Sequence, residues 1–355
     1  MKLSKNGLET IATCFQKVEK EVNKLSMREV TYEEYLEYVR RNKEITIEDQ
    51  VISLEPMKIT RLEPVSEELT DVTTTVWSFP KRGAWATHKG DYRGNWAPQI
   101  PRALMLMYTK PGDTVLDQMV GSGTTCIEAR ILGRNCIGVD INYNAVILTL
   151  HRLYYLEKYA REYAEKKPTL ANYLGIREEV ITNILNSWSK IYHGDARNLD
   201  KIEDETIDLV ATHPPYFNII KYGEEERING DLSKAKNMEE YLKWISQIAK
   251  EAYRVLKPGK YCAILIGDTR IHKHYVPISH YVLQVFLNVG FILKEEIIKI
   301  QHKMKTTREV WKKLKGKNFL LIYHEKLFVF RKPQANEKLN NVRYSKKLDV
   351  LKLNL

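Results

Sequence analysis

The sequence predicts an α/β fold: a mostly parallel sheet with a terminal antiparallel hairpin, a helical N-terminal region and a helical insert. Three observations carry that prediction. Short, buried, β-rich runs alternate with longer amphipathic stretches from residue 113 to residue 301. A glycine turn, Gly121-Ser122-Gly123, follows the first of these runs at once and opens a helix, which is the start of a βαβ unit. The last two strand-like runs, 291–301 and 319–330, have only a basic loop between them and read as the hairpin.

The N-terminal stretch 3–43 looks helical, with Leu8, Ile11, Phe15, Val18, Val22 and Leu25 at three-to-four spacing. A further helix is expected over Tyr32–Arg41, where Thr31 and Glu34 form a capping-box pattern. Residues 55–75 are prolyl and mixed, and read as a connector. From Trp77 the composition changes. Trp77, Trp85, Tyr92, Arg93 and Trp96 crowd with glycines and basic residues, without period, into an ordered loop. It is either a wrapped connection or a ligand-facing segment.

Ile100–Tyr108 gives a short helix with Pro101 near its start, and Pro111-Gly112 turns the chain into strand Thr114–Asp117. The next helix starts at Thr124 and Thr125, buries Ile127, Ala129, Ile131 and Leu132, and stops at Gly133. Strand Cys136–Ile141 follows and carries Asp140. Residues 143–191 are helical, with Tyr154, Tyr155, Tyr159 and Tyr163 placed to pack and Ile181, Ile184, Leu185 and Trp188 on a second helix. A weak strand, 190–193, leads to Gly194-Asp195, and the buried run Thr206–Thr212 ends at His213-Pro214-Pro215-Tyr216. Helix Met238–Leu256, a Pro258-Gly259 turn, strand Tyr261–Gly267, helix Tyr275–Asn288 and the two final strands complete the core. The expected organisation is a helical N-terminal region with connector over 1–75, a catalytic unit over 76–332 and a basic tail over 333–355.

Composition narrows the function classes. The 43% apolar content supports a well-buried core in a chain of 355 residues. Cys14, Cys126, Cys136 and Cys262 are scattered, without a C-x-x-C pair, which predicts buried thiols rather than disulfides or a zinc site. No apolar run reaches about 18 residues, which argues against membrane spanning and for a cytoplasmic protein. The net charge of +11 is uneven: residues 1–75 hold 11 Lys/Arg against 15 Asp/Glu. The excess of positive charge gathers at Lys299, Lys303, Lys305, Arg308, Lys312, Lys313, Lys315 and Lys317, and again in the tail. Such clusters point to a polyphosphate partner.

The glycine turn alone leaves alternatives open. Cys126 stands where a dinucleotide fingerprint has its third glycine, and the turn has no P-loop lysine. A nucleoside cofactor without a pyrophosphate, best matched by S-adenosylmethionine, stands beside NAD, other nucleotides and a ligand-free domain. The His-Pro-Pro-Tyr corner adds chemistry. Two prolines after a buried strand fix the backbone and hold carbonyls outward at the sheet's carboxyl edge. A rigid carbonyl, a hydrogen-bonding side chain and an aromatic face together suit one planar, amine-bearing ring. Two acceptors on such an amine would aim its lone pair at a methyl sulfonium, with no metal or covalent intermediate.

The chain resembles the S-adenosylmethionine-dependent DNA amino-methyltransferases that act on cytosine N4 or adenine N6. The resemblance lies in 98–113, the DQMVGSGTT turn of 117–125, Asp140, Gly194-Asp195, the PPY tripeptide and the HEKLFVFRK run of 324–332, and covers roughly residues 95–332. It implies a Rossmann-like methyltransferase fold. It implies that Asp117, Met119, Gly121, Ser122, Gly123, Thr124 and Thr125 lie along the methionine part of the cofactor. Asp140, with Ile141 and Asn142, would take the ribose hydroxyls, and Asp195 with Ala196 the adenine. The His213 side chain and the Pro214 carbonyl would hold the target amine, Pro215 would fix the corner, and Tyr216 would stack on the base.

Two departures shape the expectations. His213 stands where the family usually has Ser, Asp or Asn, so methyl transfer is expected to fall as pH drops through about 6.5, the ordinary His value. Only about twenty residues follow the last strand, so target readout falls to 143–191, 223–237 and the basic loop 302–318, the last contacting phosphates. The run Pro214–Tyr222 resembles cytosine-N4 enzymes, which favours cytosine N4, in duplex DNA with base flipping. Adenine N6, an RNA amino-methyltransferase and an inactive nucleic-acid-binding protein of the same fold are the alternatives. A partner restriction endonuclease is a further expectation.

Overall fold

The computed structural model describes residues 26–47, 50–69, 72–165, 178–217, 231–302 and 318–347. The expected helical stretch before Ser26 and the basic-loop residues Lys303, Lys305, Arg308, Lys312, Lys313, Lys315 and Lys317 lie outside these.

In chain order, strand β1 (Arg28–Glu29) precedes helix α1 (Tyr32–Arg41), and a hairpin of β2 (Glu44–Ile47) and β3 (Gln50–Ser53) follows. Thr31 caps α1 as expected, its hydroxyl accepting from the Glu34 N–H at 3.3 Å. The expected helix over 3–43 is corrected in part. Residues 28–29 form an edge strand, antiparallel to residues 192–193, because Val30 and Met27 turn their side chains into the core. The β2–β3 hairpin was missed within the N-terminal region. β4 (Val76–Ser78) is a second correction, since it lay inside the stretch read as loop; it pairs in parallel with Ile298–Ile300.

Helix α2 (Gln99–Tyr108), β5 (Thr114–Asp117), α3 (Thr124–Ile131), β6 (Asn135–Asp140), α4 (Tyr143–Glu165), α5 (Glu178–Asn186), β7 (Ser189–His193) and β8 (Ile207–Thr212) come next. Then follow α6 (Met238–Val255), β9 (Leu256–Ile266), a small hairpin of β10 (Thr269–Ile271) and β11 (His274–Val276), α7 (Ile278–Val289), β12 (Ile292–Ile300) and β13 (His324–Arg331). The main sheet has the order β1-β7-β6-β5-β8-β9-β13-β12-β4. Its centre is parallel, and β13 lies between β9 and β12, antiparallel to both. A mostly parallel sheet with a terminal antiparallel hairpin is therefore what the chain forms.

Side-chain alternation divides the core between two faces. Val115, Leu209 and Ala211 face the layer of α2 to α5, whereas Leu116 and Val210 face α6 and α7. A register shift between Ile207 and Leu209 turns Ile207 onto the same face as Val210. The tyrosines of α4 pack: Tyr154 meets Tyr32 and Tyr35 of α1 with ring centroids 6.0 and 5.5 Å apart.

The expectation of free thiols is corrected at one pair. Cys126 and Cys136 are joined by a disulfide, with Cα atoms 5.3 Å apart. The βαβ unit lays the first turn of α3 over the start of β6, a proximity that spacing along the chain does not reveal. Cys262 is free and buried. Among the described residues, no helix is long and apolar enough to cross a membrane, and no cluster of His, Cys, Asp and Glu could hold a metal.

Candidate active site

The strand order reverses at β5: β6 continues on one side of it and β8 lies on the other. The crevice at such a switch point, beyond the carboxyl ends of the strands, is where open α/β sheets bind ligands. The glycine turn leaves from β5 and the His-Pro-Pro-Tyr corner from β8, so the two motifs meet there.

Asp117 ties them together. It is 2% exposed, and its Oδ1 accepts from Thr212 Oγ1 at 3.0 Å and from the Met119 N–H at 3.1 Å. Its Oδ2 accepts from Thr125 Oγ1 at the start of α3. Burial pushes its carboxyl up to about 6 against the pull of these three bonds. The turn itself needs its glycines. Gly121 and Gly123 have φ of +52° and +83°, and a Cβ on Gly121 would stand 2.9 Å from the Tyr92 ring. Ser122 Oγ is buried without a hydrogen-bond partner.

At the end of β6, Asp140 Oδ2 accepts from the Gly121 N–H at 2.8 Å, and Oδ1 from the Asn142 N–H at 2.9 Å. Burial raises its carboxyl to about 7; those two bonds oppose the rise, and nearby Asp117 and Asp231 add to it. One lone pair on each oxygen remains beyond these bonds. Ile141 follows directly, and its carbonyl meets His193 Nε2 at 3.1 Å. Asp195, expected at the adenine, is held by Arg197. Arg197 pairs with it through Nε, at 2.9 Å from Oδ1, and through Nη2, while the Arg197 N–H donates to Oδ1 at 2.8 Å. The Arg197 guanidinium also lies 4.8 Å from the centre of the Trp244 ring. The Ala196 carbonyl accepts from Gln118 Nε2 at 3.3 Å.

The aromatic segment before α2 covers the glycine turn. Thr124 Oγ1 donates to Asn95 Oδ1 at 2.6 Å, and Arg152 links the Ser122 carbonyl, at 3.1 Å, to Asp91. Glu128 of α3, fully buried, accepts from Trp85 Nε1 at 2.6 Å and Arg102 Nη1 at 3.0 Å, and lies 2.7 Å from His88 Nε2. These bonds fix the segment to α3, over the turn.

At the corner, Trp96 stacks on His213 with centroids 5.9 Å apart and planes 21° apart. His213 Nε2 lies 2.6 Å from the Tyr216 hydroxyl, which donates to Glu325 Oε1 at 2.8 Å. Lys299 Nζ holds Glu325 Oε2 at 2.7 Å. Burial lowers His213 to about 4, so the ring is neutral across the physiological range. The Tyr216 ring lies on the backbone of Gly267, where a Cβ would come within 2.6 Å of it. Tyr241 donates to the Pro215 carbonyl at 3.2 Å, and Pro214 is buried beside it. Sequence reasoning missed Trp96 as the partner of His213, and it gave Lys299 and Glu325 no place at the corner. A signal for Glu325 existed: a carboxylate two residues before the apolar run 327–330 of the strand 324–331.

A family model described as DNA methylase matches residues 9–149 and 207–352. Type II methyltransferase M.BglII of Bacillus subtilis is 34% identical over 115 residues, 31% of this chain and 28% of that protein. Type II methyltransferase M.MjaII of Methanocaldococcus jannaschii is 26% identical over 217 residues, 59% of this chain and 36% of that one. The tRNA (guanine(10)-N2)-dimethyltransferase of the same organism is 31% identical over 137 residues, covering 37% and 32%. The matched stretch is thus about a third of the length of these relatives. A solved SAM-dependent methyltransferase from Methanosarcina mazei matches at 16% identity and a TM-score of 0.37, covering 65% of this chain and 98% of that one. Matched by that model over most of its length, the chain belongs to the N6/N4 DNA methylase family.

Proposed function

We propose that the chain transfers a methyl group from S-adenosylmethionine to an exocyclic amino group of a base in duplex DNA, cytosine N4 before adenine N6, with the base flipped from the stack. One observation carries the reading: the hydrogen bond from Thr212 to Asp117 sets the glycine turn and the His-Pro-Pro-Tyr corner against each other at the switch point. The turn fits the proposed cofactor. Ser122 offers an unpartnered buried hydroxyl, the glycines leave the backbone open to close approach, and Asp140 keeps lone pairs for ribose hydroxyls.

When bound, S-adenosylmethionine supplies an electrophilic methyl group on a positively charged sulfur. The protein's part is positioning. The Pro214 carbonyl and the His213 ring accept from the amine's two N–H groups and draw its lone pair out of conjugation toward the methyl carbon. Tyr216 gives the base a flat wall, and Pro215 holds the corner. Met119, Thr124 and Thr125 shape the methionine end, and Asp117 holds the turn to the corner, its oxygens already engaged by the chain. Asp140, Ile141 and Asn142 face the ribose, and Asp195 with Ala196 the adenine, where Arg197 also stands.

Phosphate contact falls to the basic loop 303–317, and the chain works as a catalytic unit over 76–332 with its N-terminal region docked through α1. A cytoplasmic setting and a partner restriction endonuclease belong to the same reading. The test is incubation with methyl-labelled S-adenosylmethionine and plasmid DNA or total RNA, then mass spectrometry of the nucleosides. N4-methylcytosine supports the reading; label confined to RNA or to adenine replaces it. The RNA outcome has one observation in its favour, the match to a tRNA guanine-N2 methyltransferase.

A further inference from the structure

The corner contains a proton count that decides which nitrogen of His213 is free. His213 Nε2 and the Tyr216 oxygen are 2.6 Å apart, and the Tyr216 oxygen and Glu325 Oε1 are 2.8 Å apart. Glu325 is buried, which works against its charge. The Lys299 ammonium at 2.7 Å, with His213 and Tyr216, outweighs that and holds the carboxyl below its usual range. An ionised carboxylate has no proton to give, so the single phenolic proton of Tyr216 points at Glu325. The phenol then meets Nε2 with a lone pair, and the 2.6 Å contact is a hydrogen bond only if Nε2 carries the proton. The other neutral tautomer would leave one proton for two short contacts, one of them lone pair against lone pair. Nδ1 is buried with no hydrogen bond of good geometry, and the Gly94 backbone faces the ring as an acceptor, which favours a ring N–H on the side it meets.

We propose that Glu325, anchored by Lys299, acts through Tyr216 to keep the proton of His213 on Nε2, reserving the Nδ1 lone pair as the acceptor for the target amine. Glu325 and Lys299 are positioning residues: neither touches the base. The identity of the ligand rests on the amino-methyltransferase reading; the tautomer does not. In the present structure Nδ1 is covered and Trp96 lies on the ring, so the amine reaches it once that cover has moved aside.

Glu325→Gln is the decisive change because the geometry fixes its amide. Lys299 has donors only and keeps the amide oxygen, which turns the NH2 group toward Tyr216. Tyr216 then gives its proton to Nε2, and the imidazole proton moves to Nδ1, where it repels the amine. The experiment is nitrogen NMR of the full chain carrying 15N-labelled histidine, with His213→Asn identifying the His213 signals. It is paired with kcat and KM for methyl transfer to DNA and with a thermal midpoint. Expected are Nε2–H in the wild type, Nδ1–H in E325Q, and a kcat lowered roughly 100-fold with little change in the KM for DNA, the size of effect seen when one preorganised hydrogen bond is lost. Nδ1–H in the wild type overturns the proposal, and does so even if E325Q does not fold. An E325Q protein that keeps Nε2–H overturns the role of Glu325. A wild type that methylates neither DNA nor RNA defeats the methyltransferase reading alone, since the tautomer is read without turnover.

Discussion

Thr212 donates a hydrogen bond to Asp117 across the switch point of the sheet, Oγ1 to Oδ1 at 3.0 Å, and both groups are buried. One end of that bond belongs to the strand that feeds the glycine turn, the other to the residue before His213. Removing the hydroxyl while keeping the shape, as in Thr212→Val, leaves a buried carboxylate with one donor fewer, at a cost of about 1–3 kcal/mol. The expected result is a lowered thermal midpoint and a kcat reduced more than either KM. An unchanged kcat would mean that the two motifs are positioned independently.

The proposed role of Asp140 makes donor binding depend on pH. Its folded value of about 7 lies above the ordinary aspartate range, because burial disfavours the charge. In the proposed function ribose hydroxyls donate to the ionised form, so affinity should be complete above pH 8 and weaken as protons are added. Calorimetry with S-adenosylmethionine should show Kd rising about tenfold per pH unit below 7. Asp140→Asn should bind weakly and with no such dependence.

The pH dependence expected from an ordinary histidine is removed by the fold. With His213 lowered to about 4, its ring stays neutral, and an acceptor, down to well below pH 6. At saturating S-adenosylmethionine and DNA, the rate should stay level from pH 5.5 to 8 as far as His213 is concerned. A drop centred near 6.5 that disappears in His213→Asn would show that the ring titrates as in water. His213→Ala, which leaves the amine one acceptor short, should lose roughly 100-fold in kcat.

Gly121 tests the turn. An alanine there would carry its Cβ to within 2.9 Å of the Tyr92 ring and would have to hold φ at +52°. Gly121→Ala should destabilise the protein by about 1–3 kcal/mol and weaken binding of S-adenosylmethionine together with it. Tyr92→Ala in the same chain should restore part of the binding and none of the backbone cost.

The basic loop is tested by salt. Replacing Lys312, Lys313, Lys315 and Lys317 with glutamine should weaken DNA binding at low salt and reduce the slope of log K against log salt by up to about 3–4. A slope equal to the wild type's would take the loop away from the phosphates.

Much of this protein was legible in its sequence. The strand-turn-helix from Thr114 to Ile131, the capped helix Tyr32–Arg41 and the buried strand ending at Thr212 follow from periodicity, glycine punctuation and capping chemistry, all of which act over a few residues. The glycine turn and the proline-locked corner were legible for the same reason. Tertiary structure alone decided what lies far apart in the chain. It brought Trp96 onto His213, and Glu325 with Lys299 behind Tyr216. It also decided the charge states of Asp140 and His213, because a pKa shift is set by the dielectric and the partners that packing supplies. The motifs came from local covalent geometry; the carboxylate on which the proposed tautomer of His213 depends lies 112 residues away along the chain, delivered by the antiparallel return of β13 beside β9.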